Sequence, residues 1–311
     1  MFRDLAATCE AVFGNLRGDQ PDKLGLTYEH LKECNPAIVC VHLSAYGREG
    51  ERSSWPGFDF LMQAEAGHLH LTGAPDGPPE RYGISVVDYM TGLTAAFALV
   101  TGVLEARTRG VGRDYDVSLL DVARYNLGYH AAWYLNEGFV PARLPRSAHA
   151  SIVPCQLYRT ADGWIFIMCN KEKFWGKLAR AVGRPEWEHD SRFETFAARL
   201  EHRELITEVL DEVLSEHSTA IWLERFAGEV PAAPVNELGP ALEEARAAGR
   251  VLCVDHPARP GLEMMANPVL PAVEAHPARP APALGADSES VLAEIGYAAA
   301  RIARLRDEGV I

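Results

Sequence analysis

Residues 37–47, AIVCVHLSAYG, form an unbroken apolar run with β-branched members, closed by a glycine. A strand with one face in water alternates polar and apolar residues, whereas a strand covered on both faces reads as continuous apolar sequence. The run therefore predicts a buried strand of a parallel sheet. Parallel strands need crossover connections, usually helices, and the neighbouring sequence supplies them. TYEHLKECN (27–35) reads as a short capped helix, 58–67 as a second helix, and 89–107 as one of about five turns. GISVVD (83–88) reads as a short extended run. TRGVGRDYDVSLLD (108–121) gives a turn and a strand, followed by a helix to about Glu137. Alternating strands and helices predict an α/β, doubly wound (Rossmann-like) domain. Such a domain normally opens with a βαβ unit, and none is read ahead of the helix at Thr27.

The texture changes at PARLPRSAHAS (141–151), a linker of proline, arginine and small residues. CQLYRTADGWIFIMCN (155–170) then reads as a β-hairpin turning at Asp162 and Gly163. Two amphipathic helices (174–182 and 197–215) and a helix running into a short strand (219–235) complete a smaller α+β domain. The proline-rich stretch 256–285 reads as a long extended connector, and 287–311 as two short helices. The expected division is 1–140 for the large domain, 141–255 for the linker and small domain, and 256–311 for the return, with its helices packing on the large domain. No internal repeat is found.

Thirty Lys and Arg face 43 Asp and Glu, a net charge of −13. That balance opposes nucleic-acid binding through a general basic surface, while a local cluster of cations can still hold phosphates. Six cysteines (9, 34, 40, 155, 169, 253) lack a CxxC pair and a nearby histidine set. Buried reduced thiols in a cytoplasmic protein are the expectation, with no metal site and no disulfide framework. The first residues lack the basic start and apolar core of a signal peptide. The most apolar helical segment, 90–104, falls short of the roughly 20 residues a bilayer requires, so no membrane association is expected. GxSxG, HExxH, GxGxxG and GxxxxGK[ST] are all missing, which removes the usual support for serine hydrolase, zincin, classical dinucleotide and P-loop readings.

Asp88 stands where the apolar run 83–87 meets the long helix. One reading is an N-cap, a role for which Asp is among the favoured residues. The other is a carboxylate poised at the carboxyl edge of a parallel sheet, where α/β ligand sites gather, able to attack an activated carbonyl. Asp59 supplies a second acid near the same edge, or another cap. GNLRGDQPDKLGL (14–26) places Asn15, Arg17 and Lys23 on a loop leading into a helix, suited to phosphate groups or to a solvated turn. His149, in the small flexible stretch SAHAS, titrates near neutrality if unperturbed.

Taken in order, the motifs NLRG (from Asn15), KLGL (from Lys23), NPAIV (from Asn35), SAYG (from Ser44), PGFD (from Pro56), LTGAPDGPP (from Leu71) and VVDYMTGL (from Val86) resemble the class III CoA-transferases, the formyl-CoA and carnitine CoA-transferase (CaiB/BaiF-like) group. TRGVGRDYDVSLLD, HASIVP (from His149), DGWI (from Asp162), VPAAPV (from Val230), PALG (from Pro282) and LAEIGY (from Leu292) continue the likeness over nearly the whole chain. The resemblance implies that Asp88 is a covalent nucleophile passing CoA between carboxylic acids through an anhydride and an aspartyl-CoA thioester. It implies that Asn15, Leu16, Lys23, Leu24 and Leu119 lie against CoA, with Lys23 where the family often has Arg. Phe58, Asp59 and His149 become neighbours of the active site. Oxyanion donors are expected from the helix after Asp88 and the loop near His149. CoA and acyl-CoA enter as substrates, with no permanently bound cofactor, and the fold is expected as an interlocked homodimer.

A racemase branch of the same family carries a proton-transferring His at the position of Phe58, which has no proton to exchange, so that chemistry is disfavoured. The family also implies one more βαβ unit ahead of the Asn15 loop. Its absence from this sequence keeps a non-catalytic CoA-binding protein as a further alternative.

Overall fold

The computed structural model describes residues 1–269 and 279–311. The chain divides into two units, Met1–Pro234 and Val235–Ile311.

The first unit opens with α1 (Phe2–Ala6) and β1 (Ala11–Gly14), followed by the short α2 (Gln20–Lys23) and α3 (Tyr28–Leu31) and then β2 (Val39–Ser44). After β2 come α4 (Asp59–Glu65), α5 (His68–Leu71), the long α6 (Val86–Arg109), β3 (Asp114–Ser118), α7 (Leu119–Tyr125) and α8 (Tyr129–Glu137). The three strands form a parallel sheet in the order β1-β2-β3, with Val12 beside Cys40 and His42 beside Asp116. Its central strand is the apolar run that opens the sequence reading, and both faces are covered. Val39 and Val41 pack with Ala95 and Ala106 of α6, while Cys40 packs with Ala6 of α1 and Leu31 of α3.

Three features differ from expectation. A strand, β1, does precede the Thr27 helix, and it pairs parallel with β2; four residues between Glu10 and Asn15 are too few to show a period. The run GISVVD is not extended throughout, because Val86 and Val87 already form the first turn of α6. That helix is 24 residues long, so by length and composition it does reach what a bilayer crossing needs. Val87, Thr91, Ala95, Gly102 and Ala106 are its buried residues, whereas Tyr89, Leu93, Phe97, Val100 and Leu104 are exposed.

The same unit contains an antiparallel sheet of β4 (Cys155–Arg159), β5 (Trp164–Met168) and β6 (Ala232–Pro234), order β4-β5-β6. The β4–β5 hairpin pairs Arg159 with Trp164 across the expected turn. Helices α9 (Glu172–Ala181), α10 (Phe196–Glu201), α11 (Arg203–Leu214) and α12 (Thr219–Phe226) accompany it. Tyr158, Ile165, Ile167, Trp175, Leu210 and Trp222 share its core. Arg199 is fully buried there, donating to the carbonyls of Val153 and Phe193 and to Glu172.

The second unit holds α13 (Leu238–Ala247), the hairpin of β7 (Val251–His256) and β8 (Arg259–Met265), α14 (Ser288–Glu294) and α15 (Ala299–Asp307). The expected connector over 256–285 is therefore corrected at its start: up to Met265 it is an antiparallel hairpin, with Val254 beside Leu262. Residues 270–278 of that stretch lie outside the described residues. All six cysteines are free thiols; Cys253 is exposed, and burial pushes Cys40 and Cys169 up to about 12.

Candidate active site

Two close backbone approaches shape the carboxyl edge of the parallel sheet. At Gly18 a Cβ atom would stand 2.0 Å from the carbonyl oxygen of Gly47, so the loop after β1 lies directly on the turn after β2. At Gly57 a Cβ atom would stand 2.4 Å from the Cβ of Ala45, so the chain entering α4 crosses just over the end of β2. Neither approach tolerates a side chain. Between these segments opens a cavity of about 520 Å³, lined among others by Asn15, Leu16, Arg17, Ser44, Trp55, Phe58, Asp88, Thr91 and Leu119. It lies where open α/β sheets bind ligands, at the carboxyl ends of the strands.

Asp88 is the third residue of α6, and Ser85 holds the N-cap position, so Asp88 does not cap its own helix. A carboxylate from a different element performs that service. Asp59, the first residue of α4 and only 3% exposed, accepts the backbone N–H of Asp88 on Oδ2 at 2.9 Å. Its Oδ1 accepts from Gln63 Nε2 at 2.5 Å, and Gln63 Oε1 takes the N–H of Tyr82 at 2.9 Å. Asp59 thus satisfies an orphan donor of the first helical turn and fastens the start of α6 to α4.

The side chain of Asp88 accepts no hydrogen bond from the described residues. Its carboxyl is held above the ordinary value, first by burial and second by the negative charge of Asp59. The two acids have separated roles: one is a buried cap, the other lines the cavity.

The remaining candidates divide. Asn15, Leu16, Phe58 and Leu119 line the same cavity as Asp88, and Phe58 is 71% exposed at its rim. Lys23 and Leu24 are not among the lining residues; Lys23 donates to Asp19 at 2.5 Å. Asp59 stands behind Asp88 and does not line the cavity. His149 is placed elsewhere, its ring 6.0 Å from that of Tyr129 and 6.3 Å from that of Trp133. Its Nδ1 accepts the N–H groups of Ser151 and Ile152, both at 3.1 Å. Burial, followed by the nearby His130 and Arg203, lowers its pKa. Because Nδ1 accepts these two N–H groups, the neutral ring carries its proton on Nε2.

Gln63, Thr91 and Trp55 were not singled out in the sequence. Gln63 lies four residues after Asp59 and Thr91 three after Asp88, so helical spacing puts each beside its acid. Trp55 has no such signal, being brought in by the loop. Among the described residues no group of three His, Cys, Asp or Glu side chains gathers as a metal-ligand set.

The fold and site therefore combine a parallel α/β sheet with a cavity at its carboxyl edge, lined by a carboxylate whose side chain accepts no hydrogen bond from the described residues. Residues 1–288 match CoA-transferase family III, and the chain belongs to that family. Succinyl-CoA:glutarate CoA-transferase of Mus musculus is 31% identical over 99% of this chain and 72% of its own length. Succinate–glutarate CoA-transferase of Agrobacterium fabrum is 29% identical over 95% of this chain and 74% of its own length. Among solved structures, a CAIB/BAIF family protein from Brucella suis superposes with a TM-score of 0.78 at 28% identity, covering 94% of this chain and 77% of that one.

Proposed function

We propose that this family III CoA-transferase moves CoA from an acyl-CoA donor to a carboxylic acid acceptor with Asp88 as covalent nucleophile. The observation carrying this reading is that Asp88 lines the cavity with its carboxylate uncapped, while Asp59 takes over the capping of its helix.

The ionised Asp88 attacks the thioester carbonyl, the C–S bond breaks, and a mixed anhydride forms with release of CoA thiolate. The thiolate attacks the aspartyl carbonyl of the anhydride, freeing the donor acid and leaving an aspartyl-CoA thioester. The acceptor carboxylate repeats the first step on that thioester, and the thiolate then takes the acceptor's acyl group and restores Asp88. Each step exchanges one acyl bond for another, so no proton or electron is gained or lost. Covalent capture splits one difficult exchange into easier ones.

Asn15, Leu16 and Leu119 hold CoA in the cavity, with Lys23 and Leu24 on the following helix completing its site. The N–H groups of Val86 and Asp88 are engaged with Ile84 and Asp59, and the side-chain amide of Asn15, which lines the cavity, joins the rest of the α6 N-terminal turn and the loop near His149 as an oxyanion donor in this reading. The acceptor acid is a dicarboxylate, a class suggested by the names of the relatives. His149 approaches the site as a neutral Nε2–H donor from the small domain of the second protomer, in an interlocked homodimer. The exposed stripe Tyr89, Leu93, Phe97, Val100 and Leu104 on α6 supports such a dimer, since a solvated helix does not present five large apolar residues along one side. The small domain, the return and the C-terminal helices keep the division 1–140, 141–255 and 256–311 in this reading, and the enzyme works in the cytoplasm.

Incubating the protein with succinyl-CoA, acetyl-CoA or oxalyl-CoA and a panel of mono- and dicarboxylic acids, read by mass spectrometry, tests the proposal. New acyl-CoA species that vanish in Asp88→Asn support it. No exchange with any pair contradicts it, and CoA binding retained in titration would then favour a CoA-binding protein without catalysis.

A further inference from the structure

Immediately beside the cavity, four donors converge on one side chain. Asp19 accepts from Arg17 Nε at 2.6 Å and Nη2 at 2.9 Å, from Gln20 Nε2 at 3.0 Å and from Lys23 Nζ at 2.5 Å. Two cations and an amide gathered around a single carboxylate have the composition of an anion-binding site, and the site is already filled by the chain itself. The carboxylate is only 13% exposed, while Arg17 and Lys23 are 44% and 63% exposed. The anchor is therefore mostly covered, while the cations stand at the surface within reach of a ligand. The backbone confirms the asymmetry: the N–H of Asp19 donates to the carbonyl of Ser53 at 3.2 Å, and Gly18 is wedged against Gly47. Arg17 also lines the cavity that contains Asp88.

We propose that Asp19 is a built-in counter-ion, which occupies Arg17 and Lys23 in the empty protein and yields them to a phosphate group of the incoming ligand. The proposal rests on the reading of the cavity as a CoA site, whose ligand carries a diphosphate and a further phosphate. Binding then exchanges one anion for another at the same cations. Asp19 lowers affinity by holding the cations back, and it helps the ligand leave by recapturing them. The carboxyl is held well below the ordinary range, by Arg17 first and Lys23 second, so it stays charged at any pH at which the enzyme works.

The consequence runs opposite to that of an ordinary supporting residue. Removing the charge of a group that merely orients two cations weakens ligand binding; removing the charge of a competitor strengthens it. Isothermal titration of pyrophosphate and of CoA into the wild-type protein and Asp19→Asn separates the two. The expected result is roughly fivefold tighter binding of both probes by Asp19→Asn, the scale of two released surface ion pairs. A steeper loss of affinity with added salt is also expected, because two uncompensated cations then face the anion. The gain disappears when Arg17→Ala is added, and Asp19→Glu, which keeps the charge, binds like the wild type. Unchanged or weaker binding of pyrophosphate by Asp19→Asn, with its melting curve intact, overturns the proposal. If Asp19→Asn does not fold, Asp19→Ser takes its place with the same expected gain. Failure of the CoA reading is seen separately, as wild-type protein that neither binds CoA nor exchanges it, while the pyrophosphate comparison still decides the role of Asp19.

Discussion

The backbone N–H of Asp88 donates to Oδ2 of Asp59 at 2.9 Å, so an acid 29 residues upstream caps the helix on which Asp88 sits. A carboxylate that caps spends its lone pairs on backbone donors. With that duty transferred to Asp59, the carboxylate of Asp88 is available to the cavity, and its position is fixed through the main chain.

Asp59→Ala leaves the N–H of Asp88 without its acceptor and the amide of Gln63 with only its longer contact to the carbonyl of Ile84 at 3.4 Å. The expected cost is about 2 kcal/mol in stability, together with a lower kcat. Asp59→Asn keeps one acceptor oxygen and loses less. Urea unfolding of the two variants checks the order.

The pH dependence follows from the raised carboxyl of Asp88. Only the ionised form attacks a thioester, so exchange falls as pH drops through the raised pKa. Asp59→Asn removes the neighbouring negative charge and moves this acid limb to lower pH. For stability the sign is opposite. The folded state binds the proton more tightly than the unfolded chain, so the contribution of this group is full below the unfolded pKa and is lost as pH rises through the folded one. Asp88→Asn, which is never charged, should melt at or above the wild-type temperature at pH 7.

Gly18→Ala would press a methyl group into the carbonyl of Gly47. Overpacking of this kind costs about 1–3 kcal/mol, and relief by moving the loop would displace Asn15 and Arg17. Weaker CoA binding in titration, with the rest of the fold retained by circular dichroism, is the expected result.

Phe97→Asp places a charge in the middle of the exposed apolar stripe of α6, where Phe97 is 75% exposed and Leu93 is 74% exposed. If that stripe joins two protomers, light scattering will show a dimer for the wild type and a monomer for the variant. A wild-type monomer would remove the dimer from the account.

A chiral 2-methylacyl-CoA incubated with the enzyme in deuterated water should gain no label next to the thioester, because Phe58 cannot serve as a base. Label there would restore the racemase reading.

What the sequence disclosed, and what it withheld, follows from the range of each interaction. Val39–Ser44 was readable because burial on both faces writes an apolar run into the chain itself. The hairpin at Asp162 and Gly163 was readable because a turn is a local event. The strand Ala11–Gly14 was too short to carry a pattern, and the β-branched pair Val86–Val87 reads as extended although tertiary contacts make it helical. The prolines of 256–265 suggested an extended connector, yet Pro257 and Pro260 sit at the turn and on a strand of a two-stranded hairpin, where a missing N–H can face solvent. Local sequence made Asp88 a helix cap because the true cap, Asp59, becomes its neighbour only through the fold. The clamp of Asp19 on Arg17 and Lys23 spans only seven residues of sequence, but charge spacing alone does not distinguish a solvated turn from a filled anion site.

The most direct test of the central claim is to trap the intermediate. Wild-type protein incubated with succinyl-CoA and no acceptor, quenched in acid and digested, should yield the peptide containing Asp88 with CoA attached as a thioester. Asp88→Asn should yield none and lose at least about 10³-fold in exchange rate. An adduct on another residue, or exchange that persists in Asp88→Asn, would contradict the assignment of Asp88 as the nucleophile.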